Sequence, residues 1–208
     1  MWKNYHPPQG IITRDERFTS DQVVEINHMA VASIHRTAFD LGRFLARDQA
    51  VKHLDAPANA TGFAPEDVLP FADEYKGARG VRRLREAIAL MDAGAQSPKE
   101  TWLRLLLIDA GLQRPSTQIP VLDDGGHPFA YLDMGWEDIK VAVEYDGDQH
   151  RTDRRQYVKD IARLDKVRRR QWIVIRVIAE DRPYEILRRV REAFRQRQTA
   201  VTVVKRGA

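Results

Sequence analysis

Cysteine is absent from the 208-residue chain. That excludes disulfides, thiolate nucleophiles and sulfur-held zinc, so any metal here is expected to be a hard cation bound by oxygen. Long apolar runs are missing too: stretches such as Leu105 to Ile108 fall far short of a bilayer span. The N-terminal MWKNYHPPQG has no apolar core of the secretory kind. No internal repeat or low-complexity tract is found. These absences lead to the expectation of a cytoplasmic protein with no membrane partner. What is present, 43% hydrophobic and 31% charged residues, fits one medium domain or a small domain with an ordered extension.

The formal net charge of +4 hides an uneven layout. Residues 151–197 hold 16 Lys/Arg against 7 Asp/Glu, whereas residues 1–150 hold 16 against 23. An acidic body therefore carries a basic C-terminal quarter. Such asymmetry points to a polyanionic partner or, more blandly, to a solvated helix face.

Periodicity predicts short strands at Ile11–Thr13 and Ala30–Ser33 and a helix from Arg36 to Leu54. A loop rich in Ala, Asn, Gly and Pro opens residues 57–96, followed by helices at Pro65–Glu74 and Val81–Asp92. Ser97-Pro98-Lys99-Glu100 reads as a capping box that starts a helix ending at Gly111. Strands Gln118–Leu122, Phe129–Asp133 and Ile139–Asp146 form an expected antiparallel meander. A helix from about Thr152 to Arg170, a strand at Trp172–Val177 and a helix from about Pro183 to Arg197 complete the pattern. The fold class expected is α/β (α+β).

Along Ile139–Asp146 the alternation puts Ile139, Val141, Val143 and Tyr145 on an apolar face. Lys140, Ala142, Glu144 and Asp146 take the other. Asp133 closes the preceding strand and can approach Glu144 if the two strands pair. Carboxylates brought together repel unless a cation neutralises them, and oxygen ligands suit Mg²⁺ or Mn²⁺. Taken singly, Asp146-Gly147 also reads as a turn, and His150 as a surface or capping histidine. In the following helix, Arg155, Lys159, Arg163, Lys166 and Arg170 fall within an arc of roughly 80°. Tyr157, Ile161, Leu164 and the stem of Arg168 lie nearly opposite, so one face packs and the other is a cationic stripe. Trp102, Trp136 and Trp172 are expected to pack rather than to stack on bases.

The pattern Glu100…Asp133…Glu144-Tyr145-Asp146-Gly147-x-x-His150-Arg151…Asp160…Arg163…Trp172…Arg176 resembles the Vsr-like domains of the PD-(D/E)XK nuclease superfamily, over roughly residues 95–190. The stretch Val31 to Arg43 is similar to the region that precedes this domain in actinobacterial AbiEi-like antitoxin proteins. Those longer relatives usually begin with a winged-helix module, which this chain is expected to lack. The resemblance implies a restriction-endonuclease-like core, a mixed three- to four-stranded sheet flanked by helices, with a mixed α/β N-terminal extension. The divisions expected are residues 1–94 for the extension, 95–198 for the nuclease domain and 199–208 for a tail.

By the same resemblance Asp133 and Glu144 are the metal-binding pair for Mg²⁺ or Mn²⁺. Glu100 matches the glutamate of the first helix that completes many such sites, and it is equally the last residue of a capping box. The superfamily lysine would stand where this chain has Asp146. Lys140 lies about 13 Å before Glu144 along an extended strand and cannot easily substitute. Vsr-like members lack that lysine and use a downstream histidine, a position His150 matches, with Gln149 as the weaker candidate. Relatives usually have glycine where this chain has Gln171. Metal-dependent hydrolysis of nucleic acid, DNA first, is the function implied, with Arg151, Arg155, Lys159, Arg163, Lys166 and Arg170 on the phosphates. The alternative is a non-catalytic DNA-binding or antitoxin-like module with a toxin–antitoxin partner protein.

Overall fold

Four amphipathic helices and a mixed sheet build separate cores that share one helix. The computed structural model describes residues 7–147 and 154–206. After a 3₁₀ turn at Ser20–Gln22, strands β1 (Val23–Ile26) and β2 (Met29–Ala32) pair as an antiparallel hairpin. Its turn residues Asn27 and His28 both take positive φ, 50° and 63°, as a two-residue hairpin turn requires. The strand expected at Ile11–Thr13 is irregular chain; β2 finds its partner in Val23–Ile26 instead.

Helix α1 (Ile34–Phe44) starts at Ser33, whose Oγ accepts from the Arg36 N–H at 3.3 Å. The single helix predicted over Arg36 to Leu54 is two. Leu45 and Ala46 are extended, and α2 (Arg47–Thr61) sets off in a new direction. That break lets α1 and α2 pack their apolar stripes with α3 (Pro65–Glu74) and α4 (Val81–Leu90) around Phe39, Leu54, Val68 and Leu84. Each such buried side chain contributes about 1.5–3 kcal/mol. The loop expected from residue 57 is instead the last turn of α2, which runs through Pro57 and stops at Gly62 in the left-handed conformation. Arg36 is fully buried, bonded to Gln22, Asp40 and the Arg17 carbonyl, which is a structural role.

Helix α5 (Pro98–Asp109) gives Leu105 to this first core and Leu103 and Leu107 to a second. Next come β3 (Ser116–Leu122), β4 (Pro128–Trp136) and β5 (Val141–Tyr145), then α6 (Arg154–Arg169), β6 (Ile173–Val177) and α7 (Pro183–Arg206). The sheet order is β3-β4-β5-β6; the first three are antiparallel, and β6 runs parallel to β5. The architecture is thus α+β with a mixed four-stranded sheet. Val141 and Val143 pack with Leu103, Leu107, Ile186 and Val190, and Ala142 packs with Val167 and Trp172. Both faces of β5 are therefore covered, where the sequence suggests one apolar and one polar face. Trp136 and Trp172 are buried as expected, but Trp102 is exposed. No helix of the described residues is long and apolar enough to cross a membrane.

Candidate functional site

The β4–β5 ladder has its last registered pair at Met134↔Val143. One step beyond come Asp133 on β4 and Glu144 on β5. There a side chain replaces the backbone partner: Asp133 Oδ2 accepts from the Tyr145 N–H at 2.8 Å. On the other side β5 stays in register with β6, and the Asp146 N–H donates to the Val177 carbonyl at 2.7 Å. A carboxylate thus sits where two strands cease to pair.

Burial, and then the negative charges of Glu100 and Glu144, push the Asp133 carboxyl up to about 7. The Tyr145 N–H and the Arg163 cation pull the other way but do not prevail. Glu144 is 6% exposed, and both its oxygens accept from Arg163, Nη1 at 3.0 Å and Nη2 at 3.1 Å. This two-point bond holds the Arg163 guanidinium still more firmly protonated than usual. Asp146, in the position of the superfamily lysine, instead pairs with Arg176 Nη2 at 2.6 Å.

Glu100 caps its helix and also faces the strand carboxylates electrostatically. Its N–H donates to Ser97 Oγ at 3.1 Å, and its Oε2 accepts from the Gln96 N–H at 2.9 Å, which caps α5. Its charge also acts on Asp133. The beginning of α5 therefore brings a third carboxylate to the strand pair. His150, Gln149 and Arg151 lie outside the described residues.

The cationic helix differs from its expected wheel. Leu164 and Val167 are buried and Arg163 is half-buried, while Ile161 is exposed. The packed ridge follows Arg163, Leu164 and Val167. The stem of Arg168, expected on the packed face, is exposed, whereas Arg163, expected on the cationic stripe, is drawn in by the buried Glu144. Arg155 lies in the first turn of α6, and Lys159 is exposed further along. Lys166 and Arg170 line a groove of about 480 Å³ with Arg169, Phe129 and the turn residues Asp123 and Asp124. Arg170 Nη2 reaches Asp124 at 2.7 Å.

Two further residues stand near the site: Lys99, which carries no sequence signal, and Arg176, which belongs to the pattern that carries the resemblance but has no role assigned by it. Lys99 Nζ stands 5.7 Å from the centroid of the Tyr145 ring, and Arg176 answers Asp146. Only the parallel register of β6, with Arg176 beside Glu144, brings the latter in. The donors present are all oxygen, of the kind Mg²⁺ or Mn²⁺ takes. Among the described residues no group of three or more His, Cys, Asp or Glu side chains is arranged to hold a metal. Asp133 and Glu144 are the pair that would hold one, with Arg163 now on both Glu144 oxygens.

No family model matches the chain, and no solved structure matches it. Two curated proteins of Mycobacterium tuberculosis are similar: uncharacterized protein MT2308 of strain CDC 1551 and uncharacterized protein Rv2248 of strain H37Rv. Each is 29% identical over 145 residues, which cover 70% of this chain and 53% of theirs. The chain thus spans about half the length of the curated relatives it matches.

Proposed function

We propose that this chain hydrolyses phosphodiester bonds of nucleic acid, DNA first, with Mg²⁺ or Mn²⁺, on a Vsr-like PD-(D/E)XK scaffold in the cytoplasm. The observation that carries this reading is Asp133, a carboxyl held at about 7 by burial beside Glu100 and Glu144. Packing alone gains nothing from like charges set together under cover, whereas a site that must receive a cation does. Asp133 and Glu144 would hold the metal. When bound, it supplies Lewis-acid charge at the phosphorus and lowers the pKa of a water. Arg163 fixes the orientation of Glu144 through two bonds. Asp146 is an accessory carboxylate, and His150 is assigned the proton transfer, with Gln149 second. Lys166 and Arg170, in their open groove, grip the phosphate backbone.

A second reading is a non-catalytic DNA-binding or antitoxin-like module with a toxin–antitoxin partner. It is favoured by the Arg163 guanidinium on both Glu144 oxygens and by Asp146 in place of the lysine. A shared scaffold does not guarantee shared chemistry. Cleavage of plasmid and single-stranded DNA with Mg²⁺ or Mn²⁺ separates the two, comparing wild type with Asp133→Ala and Glu144→Ala. Cleavage that both variants lose supports the enzyme. Salt-dependent binding without cleavage supports the module. Cleavage unchanged in both variants removes this site from the reaction.

A further inference from the structure

We propose that a second basic groove, along the outer edge of β6, binds the phosphate backbone of a nucleic-acid strand that extends from the carboxylate site. This inference rests on the nucleic-acid reading above. β6 is the last strand of the sheet, so one of its edges faces away from β5. Between α6 and α7 that edge forms the floor of a groove of about 470 Å³. Arg168 from α6, Arg176 from β6, and Arg188 and Arg189 from α7 line it. The one carboxylate in the lining, Glu192, forms an exposed pair with Arg195 Nη2 at 2.6 Å, so the lining sets four cations against one anion.

The four arginines divide into two kinds. Arg176 and Arg189 are fixed, by Asp146 at 2.6 Å and by Asp181 at 2.5 Å. Arg168 and Arg188 are exposed. Arg168 meets only a 3.5 Å pair with Asp165, in which both side chains are more than half exposed. Such a pair is worth little, so the charge remains available to a ligand. Two anchored guanidiniums and two that can reach suit a run of phosphates, which the planar guanidinium fork matches.

Two features decide the occupant. An added β-strand would need the free carbonyls of the β6 edge, yet Arg189 Nη1 already donates to the Arg176 carbonyl at 2.9 Å. The groove also adjoins the carboxylates through a shared residue. Arg176 is registered beside Glu144 and touches Asp146, and the lining runs back along β6 to Ile173. That length is about 10 Å at the rise of a strand.

The test is fluorescence anisotropy of the full chain with a labelled DNA duplex and with its single strand, over a salt series. It compares wild type, Arg168→Gln/Arg188→Gln, and a control of equal charge change on α4, Arg82→Gln/Arg85→Gln. Each phosphate contact contributes about 0.9 to the slope of log K against log salt. The groove variant is expected to lower that slope by about two, with the control unchanged. A groove variant that binds like wild type, or no worse than the control, overturns the groove and leaves the proposed function standing. Equal displacement of the DNA by polyglutamate overturns the phosphate assignment. Wild type that binds neither probe overturns both this inference and the reading it rests on.

Discussion

Asp133→Asn is expected to make the protein more stable at alkaline pH while abolishing cleavage. In the folded state the Asp133 carboxyl is raised from 3.8 to about 7. Where a group's folded pKa exceeds its unfolded pKa, the folded state binds more protons, and stability falls as pH rises between the two values. For Asp133 the stabilisation is complete below the unfolded value of 3.8 and is lost by the time pH has passed about 7. At 1.36 kcal/mol per unit, ionising this group in the folded protein costs about 4 kcal/mol. Asparagine retains an oxygen to accept the Tyr145 N–H and removes the charge, so its contribution does not titrate.

The assay is urea unfolding of both proteins across a pH series, taking the difference at each pH so that groups common to both cancel. The advantage of Asp133→Asn should widen by about 2.5 kcal/mol between about pH 5 and about pH 8. Saturating Mg²⁺ or Mn²⁺ should narrow it again at the alkaline end by stabilising wild type alone. A gap that stays constant with pH would refute the claim that burial and acidic neighbours hold this proton. A gap that widens but ignores the cation would leave the proton in place and remove the metal.

Three further outcomes can be checked alongside. Arg163→Gln leaves Glu144 buried without its cation and should cost about 3 kcal/mol in urea unfolding, with Arg163→Lys recovering part of the loss. Glu100→Gln keeps an acceptor for the Gln96 N–H, so the cap should lose less than about 0.5 kcal/mol, while cleavage falls far more; equal losses of both would leave Glu100 as a cap alone. Gln171 holds a left-handed φ of 68° at the end of α6, and Gln171→Gly should raise stability by about 1 kcal/mol in thermal unfolding.

What was legible in the sequence was what depends on period and on local chemistry. Glu144 and Asp146 stand at the end of β5 as alternation and turn residues predict, and α3 runs Pro65–Glu74, the bounds its pattern predicts, whereas Asp133 does not close its strand: β4 runs on through the expected turn to Trp136, and those added residues are the ones that pair with β5. The break at Leu45–Ala46 left no mark, since no Gly or Pro stands there and the apolar spacing continues across it. Only the packing of four helices requires that turn. The inward position of Arg163 escapes the pattern for a different reason. A hydrophobic wheel counts a guanidinium as exterior, and its partner is 19 residues away on another element. The grouping of Arg168, Arg176 and Arg188 is not legible either, because they come together only once β6 lies parallel to β5.

The division expected near residue 95 is a boundary of sequence pattern more than of physical independence. Helix α5 gives Leu105 to the helical core and Leu103 and Leu107 to the sheet core. Its register is fixed by a buried network: Asp55 of α2 bonds Arg104 Nη2 at 2.7 Å and Thr101 Oγ1 at 2.8 Å. Arg104 Nη1 adds a bond to the Leu90 carbonyl. With both partners of that ion pair almost wholly buried, sliding α5 would strand a charge, a loss of about 3–5 kcal/mol. Glu100 lies one residue before Thr101, on the turn this network holds. The helical half is therefore the wall against which the third carboxylate is set. An acidic cluster whose members repel one another needs such a wall, because without it the cheapest response to the repulsion is for α5 to move away.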